Sequence, residues 1–284
     1  MNNKLCLVTG ANAGIGRATA LGLAQKGAHV VMICRSAKRG RAAQQEIIAQ
    51  SGNQQVDLLL ADLSVQAEIR RVAAEFKQRY SRLDVLVNNA GAIFTTRQES
   101  ADGLELTFAL NHLGYFLLTQ ELLPLLLASA PARIINVASG AHYSGQINFD
   151  DLQLRQGYAA FKAYAQSKLA NVLFTNELAR RLAGTGVTAN SLHPGVVGTQ
   201  FGRNNRGLSL IIRLVRPFLR SEAKGAETSI HLATAPELVT TTGQYFDDNQ
   251  PKRASDLAYD EALARRLWEE SEKLVSRSAS QQVS

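Results

Sequence analysis

Residues 5–27 read LCLVTGANAGIGRATALGLAQKG, and the fold is decided there. The apolar run LCLVT (5–9) is too short for a helix and has the look of a buried strand. It closes in a glycine-rich turn, TGANAGIG (9–16), and a helical pattern follows from about Ile15 to Lys26. Gly10, Gly14 and Gly16 are spaced G-x-x-x-G-x-G. Side chains at these positions would keep the backbone away from a diphosphate. The helix behind the turn directs free N–H groups and a partial positive charge at such an anion.

The turn alone is weak evidence, because an ordinary loop packed on a helix looks the same. Its place between the first strand and the first helix strengthens the phosphate reading. The spacing is not G-x-G-x-x-G, and no Gly-Lys-Ser/Thr follows, so the phosphate loop of nucleotide hydrolases is excluded.

The same strand-then-helix alternation runs outward from this turn. HVVMIC (29–34), VDLLLA (56–61), DVLVNN (84–89), RIINVAS (133–139) and VTANSL (187–192) are apolar runs of strand length, and QYF (244–246) is a short seventh. Helical patterns fall at about 38–50 and 65–80, after Asp102, from about 160 to 183, and over 256–275. Continuous apolar strands separated by helices predict a parallel sheet covered on both faces. The fold class is therefore a doubly wound, Rossmann-type α/β sheet of about seven strands with right-handed crossovers. No repeat or Pro- or Ser-rich linker divides it. Residues 1–276 read as one domain and 277–284 as a flexible tail.

With 284 residues, 45% of them hydrophobic, the chain can bury a large core, and 19% charge argues against disorder. Lys and Arg number 31 against 24 Asp and Glu, a net charge of +7. The basic residues are dispersed, so no nucleic acid is expected as partner, while anionic small ligands suit the balance. Cys6 and Cys34 sit in apolar runs and read as reduced core thiols. They and five unpaired histidines give no metal site. No signal-peptide pattern or uninterrupted apolar span is visible, so the expected location is the cytoplasm.

The second strand ends at Cys34-Arg35-Ser36. An acidic residue there would accept bonds from the adenosine ribose of NAD. Arg35 stands in its place, with Arg17, Lys38 and Arg39 as further candidates nearby, and a guanidinium suits a 2′-phosphate. NADP(H) is therefore favoured over NAD(H).

YAAFKAYAQSK (158–168) contains Tyr-x-x-x-Lys twice, as Tyr158–Lys162 and Tyr164–Lys168. Spacing i, i+4 puts phenol and ammonium on one helix face, and the ammonium favours the phenolate. Such a pair can exchange a proton with a substrate oxygen. Ala165, Leu169, Val172, Leu173 and Ala179 form an apolar stripe. Tyr158 and Lys162 would sit in its middle, where an unpaired lysine is costly, so that segment is expected to be irregular or turned outward. Tyr164 and Lys168 lie at the stripe's edge.

Taken in order, TGANAGIG (9–16), ADL (61–63), NNAG (88–91), ALNHLGYF, NVASGAH, YAQSK (164–168) and HPGVVGT (193–199) resemble the short-chain dehydrogenase/reductase family from Lys4 to about Leu274. LNHLGYFLLT, SKLANVLFTNELARRL and EALARRLWEES are most like its retinol-dehydrogenase-like branch. The resemblance favours Tyr164 and Lys168, since Ser167-Lys168-Leu-Ala-Asn matches the usual continuation. It implies Ser139 as the group on the substrate oxygen and Asn111 as the holder of a water serving the lysine. It also implies that Lys168 binds the nicotinamide ribose. The branch further implies NADP(H) and apolar alcohols or aldehydes.

On the cofactor the resemblance places Gly10, Asn12, Gly14, Ile15 and Gly16 at the turn, Asp62 on the adenine with Leu63 beside it, and Asn88, Asn89, Ala90 and Gly91 under the adenosine. Pro194, Gly195, Val197 and Thr199 hold the nicotinamide end. Tyr158 is then a packing residue or part of the substrate wall. Ser139 precedes Tyr164 by 25 residues (164 minus 139), long for the family but in keeping with this branch, so 142–157 is expected to form a loop beside the pocket. A hydrolase built on Ser139 and His142 fails because position 137 is valine, which breaks Gly-x-Ser-x-Gly. His112 and His193 read as structural hydrogen-bonding residues.

Residues 200–222 would cover the substrate as a lid. If 208–220 is helical, Arg213, Arg216 and Arg220 share one face and Leu210, Ile211, Leu214, Val215 and Phe218 the other. Weak contact of this segment with an anionic membrane surface is the least favoured use of that pattern. The function expected is NADP(H)-dependent interconversion of an apolar alcohol and its aldehyde or ketone. The alternatives are an NADPH-binding sensor or scaffold and a C=C reductase of a pigment-like substrate. Pairing into a homo-oligomer through long helices is common in the family.

Overall fold

The structure is a computed structural model that describes residues 1–195 and 220–280, with side chains of the last helix through Ser276. Val197, Thr199 and residues 200–219 of the expected lid lie outside the described residues.

Strands β1 (Leu5–Thr9), β2 (His29–Cys34), β3 (Val56–Leu60), β4 (Val85–Asn88), β5 (Ala132–Val137), β6 (Val187–His193), β7 (Tyr245–Asp247) and β8 (Gln250–Pro251) form one sheet in the order 3-2-1-4-5-6-7-8. All neighbours are parallel except β7 and β8. The sheet thus has one strand more than the seven read from the residues. The order reverses between β1 and β4, and sites of such sheets form at the strand ends beside that point.

Alternate residues of each strand face opposite layers. Leu5, Leu7, Val31, Ile33, Leu86 and Ile134 join a core with α3 (Gln66–Arg79), α5 (Gly114–Ala128), α6 (Ala160–Arg181) and α8 (Glu261–Ser280). Cys6, Val8, Val30, Met32, Val87 and Ile135 join the other core, with α1 (Gly14–Gln25), α2 (Ala37–Ser51) and α7 (Glu222–Thr234). Burial on both faces is why the strands are apolar throughout, and each large side chain so buried contributes about 1.5–3 kcal/mol.

Helix α7 has no counterpart among the helical stretches read from the residues. Helix α8 runs to Ser280, so 277–280 of the expected tail are helical backbone, and 281–284 lie outside the described residues. A short helix, α4 (Leu106–Phe108), passes through a π-helical turn (Ala109–Leu113) into α5. Among the described residues, no helix is long and apolar enough to cross a membrane.

Candidate functional site

The glycine turn lies against the end of β4. Thr9 is the clasp: its hydroxyl accepts from the N–H groups of Asn89 (2.8 Å) and Ala90 (2.9 Å), and Asn89 Nδ2 donates to the Thr9 carbonyl (2.8 Å). Gly10 has φ +66°, and a Cβ there would stand 2.9 Å from the Ala90 Cα. A Cβ on Gly16 would strike the Asn89 side chain. Gly14 has φ +58°, and α1 receives no capping side chain from Ala13, which precedes it. Its first N–H groups are therefore available at the turn, as an anionic diphosphate requires. Asn12 and Ile15 are half-buried beside them.

Arg35 follows β2 with its side chain 68% exposed and reaches the Asp62 carboxylate at 3.3 Å. Asp62 also accepts from the Ser64 N–H (3.0 Å) and hydroxyl (2.7 Å). Burial raises the proton affinity of Asp62, but the bonds from Ser64 and the Arg35 charge outweigh it and hold the carboxyl below its ordinary value. Arg17 is committed elsewhere, to Glu46 (2.6 Å) and Glu222 (3.0 Å), which removes it from the phosphate candidates. The Leu63 side chain is buried in the core.

Asn88 departs from its expected place. Its side chain is sealed under the sheet, donating to Thr119 (3.0 Å) and to Asn136 (2.9 Å), whose own amide donates to Thr175 (2.9 Å). The strand alternation that turns Asn88 inward leaves Asn89, Ala90 and Gly91 to the site.

β5 ends beside this turn and delivers Ser139, which caps a 3₁₀ turn (Gly140–Ser144) by accepting from the Ala141 N–H at 3.2 Å. Tyr164, on the second turn of α6, faces the Ser139 side chain, near enough for that hydroxyl to act on its phenol. Burial raises the phenol above its ordinary proton affinity, and the Ser139 hydroxyl works against that rise. One turn on, Lys168 is 3% exposed. Its Nζ donates to the Val137 carbonyl (2.9 Å) and stands 5.6 Å from the Tyr164 ring centre and 5.7 Å from that of Tyr115. Burial pulls the ammonium from 10.5 down to about 7. Lys168 is thus well inside the molecule rather than at an apolar edge.

Asn111 sits in the π turn and braces this corner. Its Nδ2 donates to the Ala92 carbonyl (2.9 Å) and to Ser167 Oγ (3.0 Å), and its Oδ1 accepts from the Ala92 N–H (2.9 Å). Ser167 in turn donates to the Tyr164 carbonyl (2.7 Å). A Cβ on Gly91 would stand 3.1 Å from Asn111 Oδ1 and 3.6 Å from Lys168 Nζ, so the NNAG corner opens onto the lysine.

The doubled motif separates cleanly. α6 starts at Ala160, Lys162 is exposed on its first turn, and Tyr158 precedes the helix. The Tyr158 hydroxyl donates to the Phe94 carbonyl (2.7 Å), far from any ammonium partner. His112 bonds Ser271 (2.8 Å), and His193 accepts from the Gly140 N–H (3.1 Å), both structural roles. Pro194 and Gly195 follow the end of β6, and Gly195, at φ +81°, lies under the Arg220 side chain. Two neighbours escape sequence reasoning. Thr9 is signalled only by its place before Gly10. Tyr115 lies one turn after Asn111 and is fully buried over Lys168.

A family model described as short chain dehydrogenase matches residues 4–207. Mouse retinol dehydrogenase 12 is 46% identical over 272 residues, spanning 96% of this chain and 86% of the relative. A crystal structure of an uncharacterised protein from Mycobacterium paratuberculosis superposes with a TM-score of 0.79 at 33% identity, covering 97% of this chain and 94% of that one. The RhlG/NADP active-site complex of Pseudomonas aeruginosa gives 0.71 at 31% identity, covering 87% and 95%.

Proposed function

Because this chain belongs to the short chain dehydrogenase family, we propose that it is an NADP(H)-dependent oxidoreductase interconverting an apolar alcohol and its aldehyde or ketone, with Tyr164 handling the proton. The observation that carries this reading is the Tyr164 phenol beside the Ser139 side chain with the Lys168 Nζ 5.6 Å from its ring, one helical turn away. The retinol dehydrogenase relative supports a retinal-like or long-chain substrate, and the NADP complex of RhlG supports the phosphorylated cofactor.

The bound nicotinamide would supply or accept the hydride. In the reducing direction Tyr164 gives its proton to the carbonyl oxygen, and Ser139 donates a hydrogen bond to the charge that develops there. Lys168 stabilises the phenolate left behind. Its lowered proton affinity lets it gain and lose a proton near neutral pH. Asn111 acts mainly as a brace, since its amide is already spent on Ala92 and Ser167. At the other end Arg35 would leave Asp62 for the 2′-phosphate, freeing the carboxylate for the adenine amino group.

The test is loss of reduced-nicotinamide absorbance with a panel of retinal and long-chain aldehydes. Tyr164→Phe should lower turnover by about 10²–10⁴-fold while NADPH still binds. Tight NADPH binding by the wild type without turnover of any member would instead mark a sensor.

A further inference from the structure

We propose that His142 is a positioning residue: its neutral imidazole fastens the main chain of Ser139 to Ser255 and thereby sets where the Ser139 hydroxyl meets Tyr164. This rests on the oxidoreductase reading above.

The geometry fixes the state of the ring. His142 Nε2 lies 3.1 Å from the Ser255 backbone nitrogen, whose N–H can only donate, so Nε2 must be unprotonated. Nδ1 then carries the hydrogen, and it lies 2.7 Å from the Ser139 carbonyl oxygen, its acceptor. The same oxygen accepts from the His142 N–H at 3.1 Å. Both ring nitrogens are thus spent on main chain and neither faces Ser139 Oγ, so His142 is not a base for that hydroxyl.

The consequence reaches across the fold. Ser255 lies 113 residues from His142, in the loop after β8. One buried ring therefore joins that loop to the turn that carries Ser139, while His193 holds the next peptide through the Gly140 N–H. The ring packs on Tyr143 (4.0 Å between centres) and Tyr245 (4.7 Å). The charged and titratable groups around it are Tyr143 on its own turn, His193 from β6, Tyr245 and Asp247 from β7, and Lys252, which is paired with Asp247 at 2.7 Å. Protonating Nε2 would set two donors against each other at Ser255. Burial first, then the charges of His193 and Lys252, keep the imidazole below its ordinary 6.5, with the Ser139 bond acting the other way. Turnover should therefore fall on an acidic limb below that pH, as the ring takes up its proton.

The experiment is steady-state kinetics on the full chain with NADPH and the best aldehyde of the panel, comparing wild type, His142→Phe, Ser139→Ala and the double variant. His142→Phe should lower kcat by about tenfold or more with KM little changed, and should cost nothing further in the Ser139→Ala background. His142→Asn, whose amide can replace the Nδ1 donor, should recover most of that loss. Ser255→Pro leaves the ring untouched and removes its donor at a residue whose φ of −60° suits proline. It should move the acidic limb of kcat upward by roughly half a pH unit or more. Costs that simply add in the double variant, or a limb unmoved by Ser255→Pro, would overturn the positioning role while leaving the oxidoreductase reading intact. A wild type that turns over no carbonyl would overturn both.

Discussion

Replacing Lys168 with methionine should stabilise the cofactor-free protein at neutral pH and cease to do so at high pH. The lysine is 3% exposed and its Nζ donates to a carbonyl, that of Val137, not to a carboxylate. Burial lowers it from 10.5 to about 7. Each tenfold change in proton affinity is about 1.36 kcal/mol, so the charged lysine costs the fold about 4–5 kcal/mol below pH 7. The sign follows from proton counting. Between about 7 and 10.5 the unfolded chain holds the proton that the folded chain has lost, so stability rises with pH across that window. Methionine removes the penalty but takes the Nζ donor from the Val137 carbonyl, a loss of about 1–3 kcal/mol. A net gain of about 2–3 kcal/mol at pH 6 is expected, or roughly 3–5 °C in Tm for a chain of this size. Urea and thermal midpoints of both proteins at pH 6, 8 and 10.5 check it. By pH 10.5 the gain should have vanished or reversed. The same difference at every pH would refute the reasoning, because it would mean that the buried ammonium carries no penalty. Turnover should be lost throughout, the usual exchange of stability for function at an active centre.

Tyr158→Phe should leave turnover within a few-fold of wild type and lower stability by about 1 kcal/mol, since its bond to the Phe94 carbonyl and its long contact with the Thr107 hydroxyl are lost; kinetics and a urea midpoint decide this. Arg35→Ala should weaken NADPH by about tenfold or more and NADH hardly at all, measured by fluorescence titration with each; equal losses would remove the guanidinium from the 2′-phosphate.

Most of the sheet is legible in the residues because its strands are covered on both faces and stay apolar from end to end. β8 is not, being two residues long, although Asp248 (φ +53°) and Asn249 (φ +63°) form the sort of turn that announces a hairpin. α7 is hidden for a different reason. Its buried face is built from Gly225, Ala226, Thr228, Ser229 and Ala233, small or polar residues, with Leu232 as the one large apolar side chain, so it shows no hydrophobic stripe, and its Ile230 packs where Gly22 of α1 leaves room. At the site, the placement of Tyr164 and Lys168 one turn apart on a single helix could be read from sequence. The depth of Lys168 could not, because α6 is enclosed from Ala165 through Ala179 and stripe arguments assume one open face. The partners of Arg17, Glu46 and Glu222, lie 29 and 205 residues away and leave no local trace.

The π turn at Ala109–Leu113 brings the Gly114 N–H back to the Ala109 carbonyl, five residues rather than four. That extra residue puts the two halves of the helix out of phase. Removing His112 or Leu113 from the wide turn would restore regular winding and rotate Asn111 by about 100° away from Ala92 and Ser167, while α5 kept its packing. The segment therefore behaves as two rods sharing an axis, the later one answering to the core and the earlier one to the chemistry. A one-residue deletion, rather than any substitution, would separate their contributions.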